Sequence, residues 1–247
     1  MAVNVFLPCR RASQRVPKKN TRPFGVYEFG LLEIKLLQLL RVKRIDKIYV
    51  SSNDGEVLSF ASSLKSSKIS VVERSDDLSS NTTKTDELVR YVREIIQNGS
   101  ILWTHVTSPF FTDEDYDKAI EVYCKNVSKY DSLMSVTPLY GFFWDKVKPI
   151  NYDRRSAKWP FTQDTEPIFE INSACFLADY YVYETKQDRI GDNPLMYLTN
   201  RIKGIDIDWE EDFEMAEKML LSNQALVGGG GLSLKLYTHI ICGVRSA

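Results

Sequence analysis

Long apolar runs are missing from this sequence. None approaches the roughly 18 residues that a membrane-spanning helix needs, and the first residues do not follow the basic, apolar, small-residue order of a secretory signal. Both absences lead to the expectation of a cytoplasmic protein with no membrane partner. Cysteine is sparse, four in 247 residues (Cys9, Cys124, Cys175, Cys242). The four are scattered without a CxxC pair or metal-ligand spacing, which excludes a zinc ribbon and reads as reduced thiols. Net charge is almost absent, −1 from 32 basic and 33 acidic residues, so the broad basic surface of a nucleic-acid binder is not there. Glycine is missing where nucleotide loops need it. Neither GxGxxG nor GxxxxGK[ST] occurs, which speaks against a dinucleotide-dependent hydride-transfer enzyme and against a P-loop.

What is present is an alternation of strand and helix signals. "VNVFL" (Val3 to Leu7), "KIYVSS" (Lys47 to Ser52), "ISVVE", "ILWTHV", "DSLMSV" and "IFEINSACFLA" (Ile168 to Ala178) read as strands. Between them, Leu32, Leu36, Leu39 and Leu40 mark one helix. "EVLSFASSL" marks a second, Leu88, Val92, Ile95 and Ile96 a third, and Thr112 with "TDED" opens a fourth. "GIDIDW" reads as a last strand, followed by the amphipathic helix "EEDFEMAEKMLL". This order predicts an α/β domain over 1–227, a mostly parallel sheet with helices on both faces and the ligand beyond the strand C-terminal ends. Residues 137–167, aromatic and without steady periodicity, form a lid or dimer arm. Gly228 to Gly231 open a linker and a tail, 228–247, of unassigned role.

Charge is concentrated in two places. "PCRRASQRVPKKN" (Pro8 to Asn20) carries five Lys or Arg in thirteen residues directly after the first strand. Arg10, Arg11, Ser13, Arg15, Lys18, Lys19 and Asn20 have the chemistry to fold around a polyanion such as a triphosphate. The alternative is a solvated basic loop. In "GIDIDWEED", Asp206 and Asp208 stand two apart, on one face of the expected strand. Two carboxylates on one face suit Mg²⁺, which completes its shell with phosphate oxygens and water. The alternative is that Asp208 or Asp212 caps the helix that follows.

Taken together, the motifs resemble those of the sugar cytidylyltransferases that make CMP-activated nonulosonic acids, the acylneuraminate type. "LPCRRASQRVPKKN" is similar to that family's opening "iPARgGSKgiPxKN". "VSSNDGEVLSFA", "ERSDDLSSNTTKTDELV", "THVTSPF", "DSLMSV", "FEINSACFLA" and "IDIDWEEDFEMAEKML" resemble its later motifs in the same order, from about Val3 to Leu221. The resemblance implies a Rossmann-like nucleotidyltransferase with a small dimerisation arm, a homodimer, and transfer of CMP from CTP to a sugar acid with Mg²⁺. By position it implies that Arg10, Ser13, Arg15, Lys19 and Asn20, helped by Arg74 and Thr85, hold the nucleotide. Asp206 and Asp208 would bind Mg²⁺. His105, Thr107 and Ser108, with Gln163 and Asn172, would line the acid's pocket, and Arg10, Lys19 and Asp208 would carry catalysis.

The departures fall at the same site. Arg11 and Ala12 replace two glycines of the family loop, Gln14 replaces a lysine, and His105 replaces a glutamine. Arg15 restores the charge that Gln14 omits. "ASQRVP" also resembles the loop of the Kdo cytidylyltransferases, whose "QGDEP" is "HVTSP" here, so the nonulosonate branch is favoured. Kdo, another uncommon sugar acid, or a nucleotide-binding protein without catalysis are the alternatives. His105 is either a ligand contact and candidate base or a satisfied core histidine.

Overall fold

The structure is a computed structural model and describes residues 2–228 except 12 and 81. The first strand, β1 (Val3–Cys9), shows why the sheet is central. Val5 and Leu7 pack into one apolar cluster while Phe6, pointing to the opposite face, packs into another. A strand buried on both faces needs helices on both. On the Val5 side lie α1 (Gly30–Arg41), α4 (Asp113–Asn126) and α6 (Glu210–Ser222), and on the Phe6 side α3 (Thr85–Ile95) and α5 (Tyr180–Lys186). The remaining elements are β2 (Ile45–Ser52), α2 (Gly55–Ser63), β3 (Ile69–Glu73), β4 (Ser100–Trp103), β5 (Ser132–Leu139), β6 (Ile168–Asp179) and β7 (Pro194–Leu198). They give a seven-stranded sheet in the order β3-β2-β1-β4-β6-β5-β7.

All strand pairs are parallel except those of β6, which runs antiparallel to both β4 and β5. Its reversal brings the early residues of β6 to the edge where β1 and β4 end. There β6 is irregular. Met134 faces Phe176, but Val136 faces Ile171, so Asn172 to Cys175 bulge opposite Ser135. Ser135 Oγ closes the bulge, donating to Asn172 Oδ1 (2.6 Å) and accepting from the Cys175 N–H (2.9 Å). Such bulges re-aim side chains, and this one turns Ser173 toward the ligand edge.

Three expectations need correction. Gly204 to Trp209 is not a strand. Its one backbone link to the ligand edge is the Ile207 N–H donated to the Thr107 carbonyl (2.9 Å), because no neighbouring strand is free to pair with it at the end of the sheet. β4 stops at Trp103, short of the expected His105 and Val106: the Thr104 N–H still donates to the Phe6 carbonyl of β1 (3.2 Å), but beyond it the chain enters the turn in which the His105 carbonyl accepts from the Ser108 N–H (3.4 Å). And α5 and β7 are elements that no periodicity had indicated, one short and the other a half-exposed edge strand.

The entry to α1 is what anchors the basic loop to this frame. Leu32 donates its N–H to the Asn20 carbonyl (2.9 Å), and Gly30 takes φ +53° against Arg22, where an added Cβ would lie 1.9 Å from the Arg22 carbonyl oxygen. Only glycine fits both the conformation and the space. Gly30→Ala is expected to lose about 2 kcal/mol or more from strain and clash, seen as a fall in Tm of roughly 4–8 °C for a domain of this size. An unchanged Tm would show that the loop is not held by this contact.

Candidate active site

The loop from Arg10 to Asn20 is stapled by side chains bonding backbone. Asn20 Nδ2 donates to the Arg10 carbonyl (2.9 Å) and the Arg11 N–H donates to Asn53 Oδ1 (2.9 Å). Val16 plugs the core, fully buried. Lys18 takes the left-handed φ of +51°, letting its carbonyl accept from the N–H groups of both Thr21 and Arg22 (3.0 and 2.8 Å). The basic side chains are thereby directed into a cavity of about 450 Å³ at the ends of β1 and β4.

Arg10, Ser13, Arg15, Lys19 and Asn20 line that cavity, with Gln14. Opposite them stand Asp206 and Asp208, brought in by the extended Gly204–Trp209 segment. Arg15 Nη2 donates to Asp208 Oδ1 at 2.8 Å, and Lys19 Nζ approaches the same oxygen at 3.4 Å while donating to the Ile207 carbonyl at 2.7 Å. Burial pushes the Lys19 pKa down, and the Asp208 carboxylate works against that shift. Arg15 also lies over the Trp209 ring, 4.9 Å from its centroid. Asp212 does cap α6, but its Oδ2 accepts from the N–H groups of Asp208 and Trp209, which leaves the carboxylates of Asp206 and Asp208 free of that task.

Asp206 Oδ1 is buried and has no hydrogen-bond partner among the described residues. A buried carboxylate oxygen left unpaired is costly without a cation or a proton, so Asp206, with Asp208 beside it, fits a divalent ion of the Mg²⁺ kind. No group of three or more Asp, Glu, His or Cys gathers anywhere among the described residues. The donor set is thus two carboxylates, the number Mg²⁺ takes when phosphate and water fill the rest.

His105 and Thr107 come from the turn after β4 and line the cavity, as does Thr85 at the start of α3. His105 Nε2 accepts from the Trp103 indole N–H (2.9 Å). Burial, reinforced by Arg189 and Lys19, pushes its pKa from the ordinary 6.5 down to about 3. The imidazole is therefore neutral, with Nδ1–H as a donor, and its lone pair is already used. The turn is held from behind by buried Lys35, whose Nζ donates to the carbonyls of Ser108 (2.9 Å) and Phe111 (3.2 Å) and to Tyr116 Oη (2.8 Å).

Four expected site residues do not reach the wall of this cavity. Ser108 is drawn inward by that lysine, and its hydroxyl is buried. Arg74 is buried behind the site, its Nε on Ser79 Oγ (2.9 Å), because its N–H extends the ladder to the Ser52 carbonyl. The amide of Asn172 is consumed by the bulge, with Nδ2 donating to Thr137 and Thr199 Oγ1 (3.0 and 2.9 Å). It borders a second hollow, of about 640 Å³, that shares Asp206 and Asp208 with the first. Gln163 is exposed on a short turn, Thr162–Asp164, and lines neither hollow. Ser173, Trp103, Leu88 and Arg189 line the first cavity unforeseen. Arg189 lies in a stretch without motif or periodicity, and Ser173 stood inside a quoted motif but pointed outward only because of the bulge.

An α/β sheet whose first loop and distant carboxylates close on one polar cavity beyond its strand ends defines a protein that handles a phosphorylated nucleotide. Residues 5–227 match the cytidylyltransferase family, and the chain belongs to it. It is a CTP-dependent nucleotidyltransferase. A CMP-N,N'-diacetyllegionaminic acid synthase from Legionella pneumophila subsp. pneumophila is 26% identical over 245 residues, covering 92% of this chain and 100% of the relative. The fold is shared with a CMP-2-keto-3-deoxy-manno-octonic acid synthetase complexed with CTP (TM-score 0.66, 12% identity, 90% of this chain and 99% of that one). It is shared too with a 4-diphosphocytidyl-2C-methyl-D-erythritol synthase from Anaerococcus prevotii (TM-score 0.60, 17% identity, 88% and 95%).

The state of His105 has a measurable consequence. Because its folded pKa lies below the unfolded one, the unfolded chain binds more protons between pH 6.5 and about 3, and stability is lost as pH falls through that window. The loss approaches about 1.4 kcal/mol per pH unit at its steepest. Denaturant titrations at pH 7, 6 and 5 are expected to show it, and His105→Gln to flatten it. A wild-type imidazole titrating near 6.5 by NMR would refute the neutral, buried assignment.

Proposed function

We propose that the chain transfers CMP from CTP to the anomeric hydroxyl of a nonulosonic, sialic-type acid, releasing pyrophosphate. The observation that carries this is the single cavity joining Arg10, Arg15, Lys19 and Asn20 to Asp206 and Asp208. The 26% identity with a synthase of that chemistry supports the acceptor class.

The chain's part is positioning and charge neutralisation, which carry most of such a reaction. Arg10, Arg15 and Lys19 hold the phosphates, with Ser13 and Asn20 donating from the same loop and Thr85 from α3. Arg10 and Lys19 stabilise the charge that develops on the leaving pyrophosphate. Asp206 and Asp208 would hold Mg²⁺, which supplies Lewis-acid polarisation of phosphate oxygens and lowers the pKa of a nearby hydroxyl. Thr107 and His105, through Nδ1–H, orient the acceptor. We read the arm over 137–167 as a dimerisation element, supported by its bare aromatic side chains, Trp159 and Phe161 being 71% and 72% exposed. No helix of the described residues is long and apolar enough to cross a membrane, and the three cysteines among the described residues, Cys9, Cys124 and Cys175, are free thiols. The free thiols support a cytoplasmic setting.

The test is pyrophosphate release from CTP and Mg²⁺ with N-acetylneuraminic, legionaminic and pseudaminic acids and Kdo, with mass spectrometry of the product. Release with a nonulosonic acid and the matching CMP-sugar mass is expected. Turnover of Kdo alone would move the acceptor class, and CTP binding without release from any acid would mean a binding protein. Asp208→Asn is expected to lower kcat by ~10³-fold or more with unchanged circular dichroism. Near wild-type turnover would remove that carboxylate from the mechanism.

A further inference from the structure

The cations of the main cavity fall into two groups. Arg10, Arg15 and Lys19 come from the loop after β1, and Arg15 and Lys19 meet Asp208 across the cavity. Arg189 follows α5 and sits two strands away along the sheet, against β4 and β6. Its guanidinium stacks on Phe176, 3.8 Å from the ring centroid, and on Trp103 at 5.1 Å, two residues that face each other across the β4–β6 register. Tyr183 and Asp188 act on it electrostatically, and the Asp188 carboxylate accepts from the Arg189 backbone N–H (2.6 Å), but among the described residues no carboxylate lies within ion-pair distance of the guanidinium and none bonds its side-chain N–H groups. A partly buried cation, lying over two rings and opening on a polar cavity with no ion-pair partner among the described residues, is a preformed anion site. Desolvating it costs free energy that an entering anion recovers.

Which anion follows from position. The nucleotide's phosphates have their own cations on the β1 side. What remains for the β4–β6 side is the acceptor, and an acid of the class proposed above brings one charged group, its carboxylate. Guanidinium forks match carboxylates with two parallel hydrogen bonds, and stacking on rings fixes the plane of the fork. The imidazole of His105 lines the same cavity and accepts the Trp103 indole N–H at Nε2 (2.9 Å), so it adds an uncharged donor, Nδ1–H, to the side of the cavity that holds Arg189. Arg201, which borders the second hollow, is exposed, and a carboxylate there would stay hydrated and weakly held.

We propose that Arg189 is the specificity-determining residue for the acceptor's carboxylate, gripping it from the Phe176–Trp103 platform with His105 Nδ1–H alongside. This rests on the reading that the acceptor is a sugar acid. It predicts discrimination between an acid and its neutral carboxamide, which differ only in the group that Arg189 reads.

The experiment is calorimetric titration of N-acetylneuraminic, legionaminic and pseudaminic acids, each beside its C1 carboxamide. The protein carries Mg²⁺ and α,β-methylene CTP, which cannot react. The wild type is expected to bind one acid roughly 30-fold more tightly than its amide, the usual scale for one arm of a desolvated charge pair. Arg189→Met keeps an unbranched stem over the rings and is expected to collapse that ratio toward 1, with analogue affinity changed by less than about 2-fold, while Arg189→Lys retains part of it. If Arg189→Met weakens acid and amide alike, or neither, the carboxylate role is overturned while the acceptor class stands. If the wild type binds the CTP analogue but none of the acids, the acceptor class falls, and the role of Arg189 with it.

Discussion

One carboxylate oxygen ties the two ends of this fold together. Asp208 Oδ1 receives both Arg15 and Lys19, the first across 193 residues of sequence. Without it, Arg15 would lose its ion pair and Lys19 the carboxylate nearest its ammonium, leaving Lys18 paired with Glu56 at 3.6 Å on the outside of the loop. Without the loop, the Gly204–Trp209 segment would end the sheet with one backbone bond. The Arg15–Asp208 pair is half-exposed and adds little net stability. Its value is geometric, since it draws a cationic wall and an anionic wall to either side of one cavity. Lys19 is the firmer half. Its side chain is 12% exposed, and its strongest bond goes to the Ile207 carbonyl, so it keeps its place when the carboxylate turns to another partner.

The acceptor side has a different origin. A wholly parallel sheet would have carried each strand end to the ligand edge as a simple βα loop. Here β6 returns antiparallel beside β4 and buckles opposite Ser135. The amide of Asn172 is what the buckle consumes, satisfied by two threonines, a serine and the Ala174 N–H. In exchange, Ser173 faces the cavity and Phe176 stays in register with Trp103, giving Arg189 a flat apolar support. Polar contacts within the sheet therefore position side chains that never touch Asn172 itself.

The elements legible in the sequence were those whose signal is local. The β1 to β4 half follows from apolar periodicity, and the start of α4 from Thr112 and Asp115, whose carboxylate does accept from the Thr112 N–H and hydroxyl (3.0 Å each). The charged loop and the aspartate pair were visible because their residue types are specific to a chemistry. The aspartates were placed on a strand by their spacing alone, and an extended segment with no partner has that spacing too. What stayed hidden depended on distant contacts. Ser108 and Thr107 are adjacent in sequence, yet one turns inward because of a lysine 73 positions earlier. Arg189 gains its meaning only from rings on two other strands.

The loss of two glycines from the loop is the point where sequence and site disagree most, and the structure shows how the chain accommodates it. In a glycine-rich loop, backbone N–H groups approach phosphate closely because no Cβ intervenes. In this chain the Arg11 N–H is spent on Asn53, whose own amide donates to Asp76 (2.8 Å). That donor is no longer available to a ligand. Side chains supply the positive potential: Arg10 and Lys19, which the family's opening motif also carries, and Arg15, which it lacks. Side-chain cations carry full charge but lose rotamer entropy when they grip, so a cradle of this kind benefits from partners that hold the side chains before the ligand arrives. Asp208, Trp209 and the Ile207 carbonyl are those partners, and they all lie on the segment that also bears the candidate metal ligands.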